Sequence, residues 1–317
     1  MAILSICALF APAAAWSAEP WPITLRAQMA RLANTGYRIS RSAANLCPSQ
    51  AAGTGITFDY IDAYPQADRA AIAELLHLTD QPQVAAVAIG SPAARAGIQV
   101  GDEVLAINDT PTTSLLATAS DPALFADDLD RKLLSLPISR PISVQVRRAG
   151  TERTLTLVPE PVCATRYVLK TSEGITAYSD GFDIAVSSGL IAYTRNDDEL
   201  AYVIAHETGH VINRNFETSQ TERRDEDRAD TLSVRLSHCA GYDPQIGIAY
   251  LLHRESDDML RWFRSRSHRS RKGRVERMRA EAANVTCPAQ PTYPAQTNGQ
   301  ETPSKRDPSL ARRPAAQ

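Results

Sequence analysis

The chain has 317 residues and a formal net charge of −2; 43% of its residues are hydrophobic and 22% charged. That length suggests about two domains, and the apolar share supports packed cores, which excludes a globally disordered chain. The near balance of charge excludes a surface that is basic as a whole, so nothing global points to nucleic acid.

Residues 1–18, "MAILSICALFAPAAAWSA", are apolar and small, with no charge before Glu19. The run is too short for a comfortable bilayer span and ends in alanines that suit signal peptidase. It reads as a secretory signal peptide cleaved near residues 15–18, which puts the mature protein in the periplasm or outside the cell. No Lys or Arg lies near Met1, so an upstream start and an uncleaved anchor stay open. Cys7 lies in "LSIC", a poor lipoprotein site because the residue before it is bulky. No later segment is apolar enough to span, so the mature chain is expected to be soluble, with membrane-surface association at most. Cys47, Cys163, Cys239 and Cys287 then remain. None forms a C-x-x-C pair, which argues against a cysteine-ligated zinc module. An even count in an exported chain predicts two disulfides, with three pairings open.

Residues 19–50 carry a helix over 20–46, where apolar residues recur at spacings of three and four, followed by Cys47-Pro48 and the small-residue loop "SQAAGTG". "GITFDYIDAY" is strand-like, and "DRAAIAELLHL" is a short helix. Pro92 opens another helix and Gly97 ends it in the left-handed conformation. Gly101-Asp102 is a turn before an alternating strand. "PISVQVRRAGTERTLTLVPE" is a hairpin across Ala149-Gly150. "SPAARAGI" followed by "GDEVLAIN" resembles a PDZ domain of the bacterial protease-associated type, over residues 51–160. The resemblance implies that a peptide end adds to a sheet edge, with backbone N–H groups holding its carboxylate. The candidate carboxylate loop holds Gly53, Gly55 and Ile56. A purely structural PDZ domain is the competing reading.

Residues 161–288 are a mixed segment and then mostly helix. Phe182, Ile184 and Val186 alternate as in a strand. A helix starts near Asp197, with acids in its first turn as the dipole prefers. Residues 289–317, rich in Pro, Gln and Thr, read as a disordered tail.

Within "DDELAYVIAHETGHVINRN", Leu200, Val203, Ile204 and Val211 fall at helical spacing. His206 and His210 therefore project from one face, where both can ligate one Zn²⁺. Glu207 is turned about 100° away, beside the metal, where a general base for its water is needed. Catalytic zinc needs a third protein ligand. Asn213 and Phe216 rule out a third His in the pattern H-E-x-x-H-x-x-G-x-x-H, so a carboxylate is sought. In "RDEDRADTLSVRL", Glu226 and Asp230 stand four apart on a second predicted helix. Glu226 completes a His₂Glu set. Asp230 accepts the ring N–H of a ligand histidine and fixes its tautomer. The competing reading is a solvated acidic helix start.

This constellation resembles the zinc metallopeptidase family that includes HtpX, the CAAX prenyl proteases and the Oma-type mitochondrial proteases, from about Ile175 to Arg279. The shared motifs are His206 to His210, Glu226 to Asp230, the Gly241-Tyr242-Asp243-Pro244 turn, and Ser267-His268 with Arg274. The resemblance implies His206, His210 and Glu226 as ligands of one Zn²⁺ and Glu207 as base. It implies His268 and Arg274 near the cleft, in contact with metal, substrate or oxyanion. Arg269 replaces the family's usual Pro, Asn215 stands where many relatives have His, and Thr176–Ser179 replaces the substrate-pairing N-A-x-A strand. The membrane helices of some members are absent, so the resemblance is to a soluble, exported branch.

The expected architecture is α+β: a mainly helical gluzincin peptidase domain with a small edge-strand sheet, into which the β-rich PDZ domain is inserted. Cys47 and Cys163 would flank the insertion, which favours Cys47–Cys163 and Cys239–Cys287 among the pairings. The expected activity is hydrolysis of peptide bonds in exported proteins, misfolded ones among them, with the PDZ domain recruiting or gating substrate. One rival is an inactive PDZ adaptor or chaperone on a degenerate peptidase fold. A nucleic-acid role for "RWFRSRSHRSRKGRVERMRAE" is not favoured, because Glu276 and Glu281 interrupt a run that reads as a solvated face. Its arginines better suit an anionic surface or an acidic substrate. Substrate identity and oligomeric state stay open.

Overall fold

The computed structural model describes residues 19–213, 222–256 and 271–288. The expected signal peptide, the Pro-rich tail and His268 lie outside the described residues.

The first helix, α1 (Trp21–Ala43), starts with Pro22 in its first turn and buries Leu32, Ile39 and Ala43 along one stripe. A β-rich unit follows. Its elements are β1 (Gln50–Gly53), β2 (Ile56–Asp59), α2 (Arg69–Leu76), β3 (Gln83–Val87), α3 (Pro92–Ala96), β4 (Glu103–Ile107), β5 (Thr110–Pro111), α4 (Thr112–Leu116), α5 (Phe125–Ser135), β6 (Ile142–Arg148) and β7 (Thr151–Leu157). An antiparallel sheet runs in the order β2-β3-β4-β6-β7, with β5 on β4. Phe58, Val104, Val144 and Leu129 fill the core between that sheet and α5.

The local signals explain the turns. The Ser91 side chain caps α3 by accepting from the Ala94 N–H at 3.2 Å. Gly97 leaves α3 with φ 84°, in the left-handed region. Ala149 and Gly150 have φ 48° and 76°, the paired positive angles of a two-residue hairpin turn between β6 and β7. The expected strand over "GITFDYIDAY" ends at Asp59, where the carboxylate takes the Tyr60 N–H at 2.7 Å and the chain turns into a 3₁₀ segment at Ile61–Ala63. The helix α5 lacks a sequence start signal as clear as that of α3.

β8 (Glu160–Cys163) returns antiparallel to β1, with Gln50 opposite Cys163 and Gly53 opposite Glu160. Cys47 pairs with Cys163, and Cys239 with Cys287, each with a Cα–Cα distance of 5.4 Å. The first bridge closes the neck through which the β-rich unit leaves and rejoins the chain.

The remaining elements are β9 (Arg166–Lys170), β10 (Ala177–Ser179), β11 (Asp183–Ser187), α6 (Ser188–Tyr193), α7 (Asp197–Asn213), α8 (Glu222–Cys239), α9 (Pro244–Ser256) and α10 (Arg271–Ala282). A small sheet runs β10-β11-β9. Ile184 and Val186 point into the helical core as expected, whereas Phe182 precedes β11 and is 77% exposed. The helical core joins Leu200 and Ile204 of α7, Val234 of α8 and Met278 of α10 to Leu32 and Ile39 of α1. The first helix thus packs with elements more than 140 residues later.

Polar contacts tie α1 to the β-rich unit as well. Arg26 pairs with Asp59 at 2.7 Å. Glu160, 2% exposed in its side chain, takes the Tyr37 hydroxyl at 2.9 Å and Arg95 at 2.5 Å. A carboxylate buried this deeply needs those partners. No helix among the described residues is long and apolar enough to cross a membrane.

Candidate metal centre

The centre is built where α7 and α8 pack. Gly209 lies against Ala229: a Cβ added at Gly209 would stand 3.0 Å from the Ala229 Cα. Two small residues therefore let the helix backbones approach. That approach brings Glu226, one turn before Ala229, opposite the two histidines one turn apart on α7.

Three donor groups converge. His206 Nε2 lies 3.2 Å from His210 Nε2. Glu226 Oε2 is 3.4 Å from His206 Nε2, and Glu226 Oε1 is 3.7 Å from His210 Nε2. A metal about 2.0–2.1 Å from each donor of a tetrahedral set would hold neighbouring donors about 3.3 Å apart. The set fits such an ion in chemistry as well. Two imidazole lone pairs and a carboxylate aimed at one point repel unless a cation or a proton lies among them. His206 bears this out. Burial alone would lower its pKa, but hydrogen bonding to Asp230 and Glu226 outweighs that and holds it at about 9. The proton so retained is the charge a metal ion would replace. His210 is pushed the other way, lowered by burial and by the neighbouring His206.

Behind the donors stands a second layer. His206 Nδ1 faces Asp230 Oδ1 at 3.3 Å. Arg274 donates to both oxygens of Asp230, Nε to Oδ2 at 2.8 Å and Nη2 to Oδ1 at 2.7 Å. The Tyr202 hydroxyl reaches Asp230 Oδ1 at 3.4 Å. Burial alone would raise the Asp230 carboxyl; hydrogen bonds from Arg274 and His206 hold it well below the usual carboxylate range. Asp230 is thus an anion that faces Nδ1 of the His206 ring. Arg274, expected as a cleft contact to metal, substrate or oxyanion, is instead buried and committed to Asp230 through both arms of its fork. Tyr202 carries no part in the motif reading, although it stands one turn before His206 on the same face of α7.

Glu207 is half-buried beside the donor set. Burial raises its pKa, the His206 charge opposes this, and Glu226 adds to it. A carboxylate made more basic by its surroundings suits proton abstraction. On its other side, α7 presents Thr208, whose Oγ1 lies 3.2 Å from the Tyr167 hydroxyl on β9. The edge strand β10 runs beside α7, with Tyr178 half exposed.

In the β-rich unit, Gly53 ends β1, Ile56 begins β2, and Thr54 and Gly55 link them. Gly55 has φ 76°, and a Cβ there would meet Ser91 Cβ at 2.2 Å. A Cβ at Gly53 would meet Val162 at 2.3 Å. Only glycine fits either position, and Ile56 begins the edge strand that follows.

The helix contact gives a direct prediction. Gly209→Val forces α7 and α8 apart and is expected to lose about tenfold or more in Zn²⁺ affinity, the scale of disturbed outer-shell support. Competition against a chromogenic chelator reads this; unchanged affinity would show that the close approach does not set the site.

Comparison with known proteins agrees with this geometry. Residues 156–221 match the family model for Peptidase family M48, and residues 83–120 match that of a PDZ domain. The two matches support a metallopeptidase of the M48 type that carries a PDZ domain. The first match includes His206, Glu207 and His210 and ends before Glu226, so Glu226 stands on the geometry above. Among solved structures, the chain is similar to "HtrA-type protease AlgW with decapeptide", at 25% identity, over 36% of this chain and 29% of that one, with a TM-score of 0.26. It is also similar to the HtrA3 PDZ domain bound to a phage-derived ligand, at 24% identity, over 36% of this chain and 88% of that one, with a TM-score of 0.24. The chain thus spans under a third of the AlgW structure. No curated protein matches it.

Proposed function

We propose that this protein is a zinc-dependent metalloendopeptidase that cleaves exported proteins, with the PDZ domain recruiting or gating substrate. The observation that carries the reading is the donor triangle of His206, His210 and Glu226 with Glu207 beside it. Zn²⁺ bound there would supply a Lewis acid and make a water acidic near neutral pH. Glu207 would take a proton from an attacking water as the water oxygen adds to the peptide carbonyl carbon. Glu207 then gives the proton to the amide nitrogen as the C–N bond breaks, releasing an amine and a carboxylic acid. Asp230 holds the His206 ring, and Arg274 and Tyr202 hold Asp230. Their part is positioning.

The domain reading proposed with this function joins residues 19–50 and 161–288 as one gluzincin domain, with the PDZ domain of 51–160 inserted. Gly53, Gly55 and Ile56 are proposed as its peptide-carboxylate loop. Export by cleavage near residues 15–18 places the enzyme in the periplasm or outside the cell, and N-terminal sequencing of the mature protein tests this. His268, outside the described residues, is proposed as a further cleft residue.

The primary test measures metal content and casein cleavage together. One zinc per chain, cleavage lost to a chelator and restored by Zn²⁺, is the expected result. Absence of bound zinc would sink the site assignment and leave the PDZ adaptor in front.

A further inference from the structure

The strand β2 has β3 as its only strand neighbour among the described residues, so no strand covers its outer edge, which faces α5 and α1. Along that edge run two joined cavities of about 90 and 310 Å³, which share Ala33, Thr57, Asp130 and Tyr167. They extend from the Gly53–Ile56 loop past Asp59. One wall is β2 with α5, from the PDZ-like unit. The facing wall is α1 and β9, from the helical unit. The combined space is on the scale of a small-ligand site.

One group in this cleft is out of balance. Asp130, on α5, has a buried Oδ1 with no hydrogen-bond partner among the described residues. The Phe58 N–H of β2 serves its carboxylate. Arg166 and Arg131 act on Asp130 through charge but spend their hydrogen bonds on other carboxylates. Arg166 binds Asp127 and reaches both oxygens of Asp183, at 3.2 and 2.6 Å. Arg131 pairs with Asp128 at 3.1 Å, and Arg26 with Asp59 at 2.7 Å. A buried carboxylate oxygen with no hydrogen-bonded cation is costly, and burial outweighs the Arg166 charge and pushes Asp130 up to about 8. A ligand bringing a positive charge to Oδ1 would gain a charge-assisted hydrogen bond in a sheltered site.

We infer that this cleft, shared by the two units, binds an extended peptide lying along β2, and that Asp130 selects a lysine or arginine side chain in it. The inference rests on the peptide-binding reading of the PDZ-like unit and not on hydrolysis. Binding is therefore measured on the full-length chain carrying Glu207→Gln, which does not consume the probe. The probes are fluorescein-labelled valine/threonine heptapeptides with one lysine walked through the central positions, each paired with a norleucine counterpart. Fluorescence anisotropy is expected to find a register in which lysine binds about tenfold or more tightly than norleucine. Asp130→Asn is expected to erase that preference while keeping the norleucine affinity. Ala33→Trp, which fills the cleft from α1 without touching β2 or α5, is expected to abolish both.

Equal lysine and norleucine affinities at every register would overturn the inference. So would a preference that survives Asp130→Asn, or binding that survives Ala33→Trp. Failure of every heptapeptide on folded protein would overturn the peptide-binding reading with it, leaving the metal centre and its zinc and casein test untouched. Asp130→Asn removes an uncompensated buried acid and keeps the shape, so its arm decides the question if Ala33→Trp does not fold.

Discussion

Glu207→Gln is expected to keep its zinc and lose casein cleavage by about a hundredfold to ten-thousandfold, the usual worth of a positioned general base. Gln is nearly isosteric and keeps one acceptor oxygen, but it cannot take the proton of the attacking water. Glu207 is not among the three converging donors, so the substitution leaves His206, His210 and Glu226 in place. The measurement is a pair: zinc per chain by elemental analysis, and the initial rate on casein. Loss of zinc in the variant would make Glu207 part of the ligand set. Equal measurable rates in variant and parent would remove it as base, and no cleavage by either would favour the adaptor reading.

Asp130 supplies a stability prediction of clear sign. An unfolded Asp gives up its proton near pH 3.9, whereas the folded protein holds it to about 8. Between those values the folded state binds the extra proton, so stability falls as pH rises from about 4 to about 8. Asp130→Asn is expected to flatten that slope and to raise Tm at pH 7.5. A Tm profile parallel to the parent's across this range would contradict it.

The parts of the molecule legible in the sequence are those fixed by local periodicity and chain position. His206 and His210 stand one helical turn apart, so their shared face follows once the helix is recognised. Pro92, Gly97 and Gly150 mark backbone conformations that few other residues adopt. The two disulfides match the pairing suggested by treating residues 51–160 as an insertion. What was not legible depends on tertiary approach. Gly209 reads as a weak helix former until Ala229 is seen against it. Arg274 reads as a cleft cation because nothing in its neighbourhood along the chain announces a partner 44 residues earlier. Tyr202 and Asp130 look like ordinary helix residues, and only packing shows that one braces Asp230 and the other buries an oxygen with no hydrogen-bond partner among the described residues.

Arg274→Ala is expected to lower stability by about 3–5 kcal/mol, the scale for stripping one partner from a buried ion pair. That corresponds to roughly 10 °C in Tm for a domain of this size. The reason is Asp230, which is 1% exposed and would keep its charge without its bidentate partner. Asp230→Asn acts on the other half of the pair. It removes the anion that orients the His206 ring and is expected to weaken Zn²⁺ binding about 10- to 100-fold. It also leaves the guanidinium without its counter-ion, so its Tm falls too. The double substitution separates the roles. If Arg274 acts only through Asp230, then Arg274→Ala on the Asp230→Asn background costs far less than on the parent, a non-additivity of about 1–3 kcal/mol. The same background then shows no further loss of zinc affinity or of casein turnover at saturating zinc. A second drop in turnover, at full zinc occupancy and unchanged Tm, would return Arg274 to the reacting groups. Asp230 is one turn from Glu226 on α8 and Arg274 lies on α10, so this pair also fixes how the last helix sits on the metal-binding helices. The positioning chain from α10 through Asp230 to His206 and the tertiary anchoring of α10 are one set of contacts, which is why a single arginine is expected to move both Tm and metal affinity.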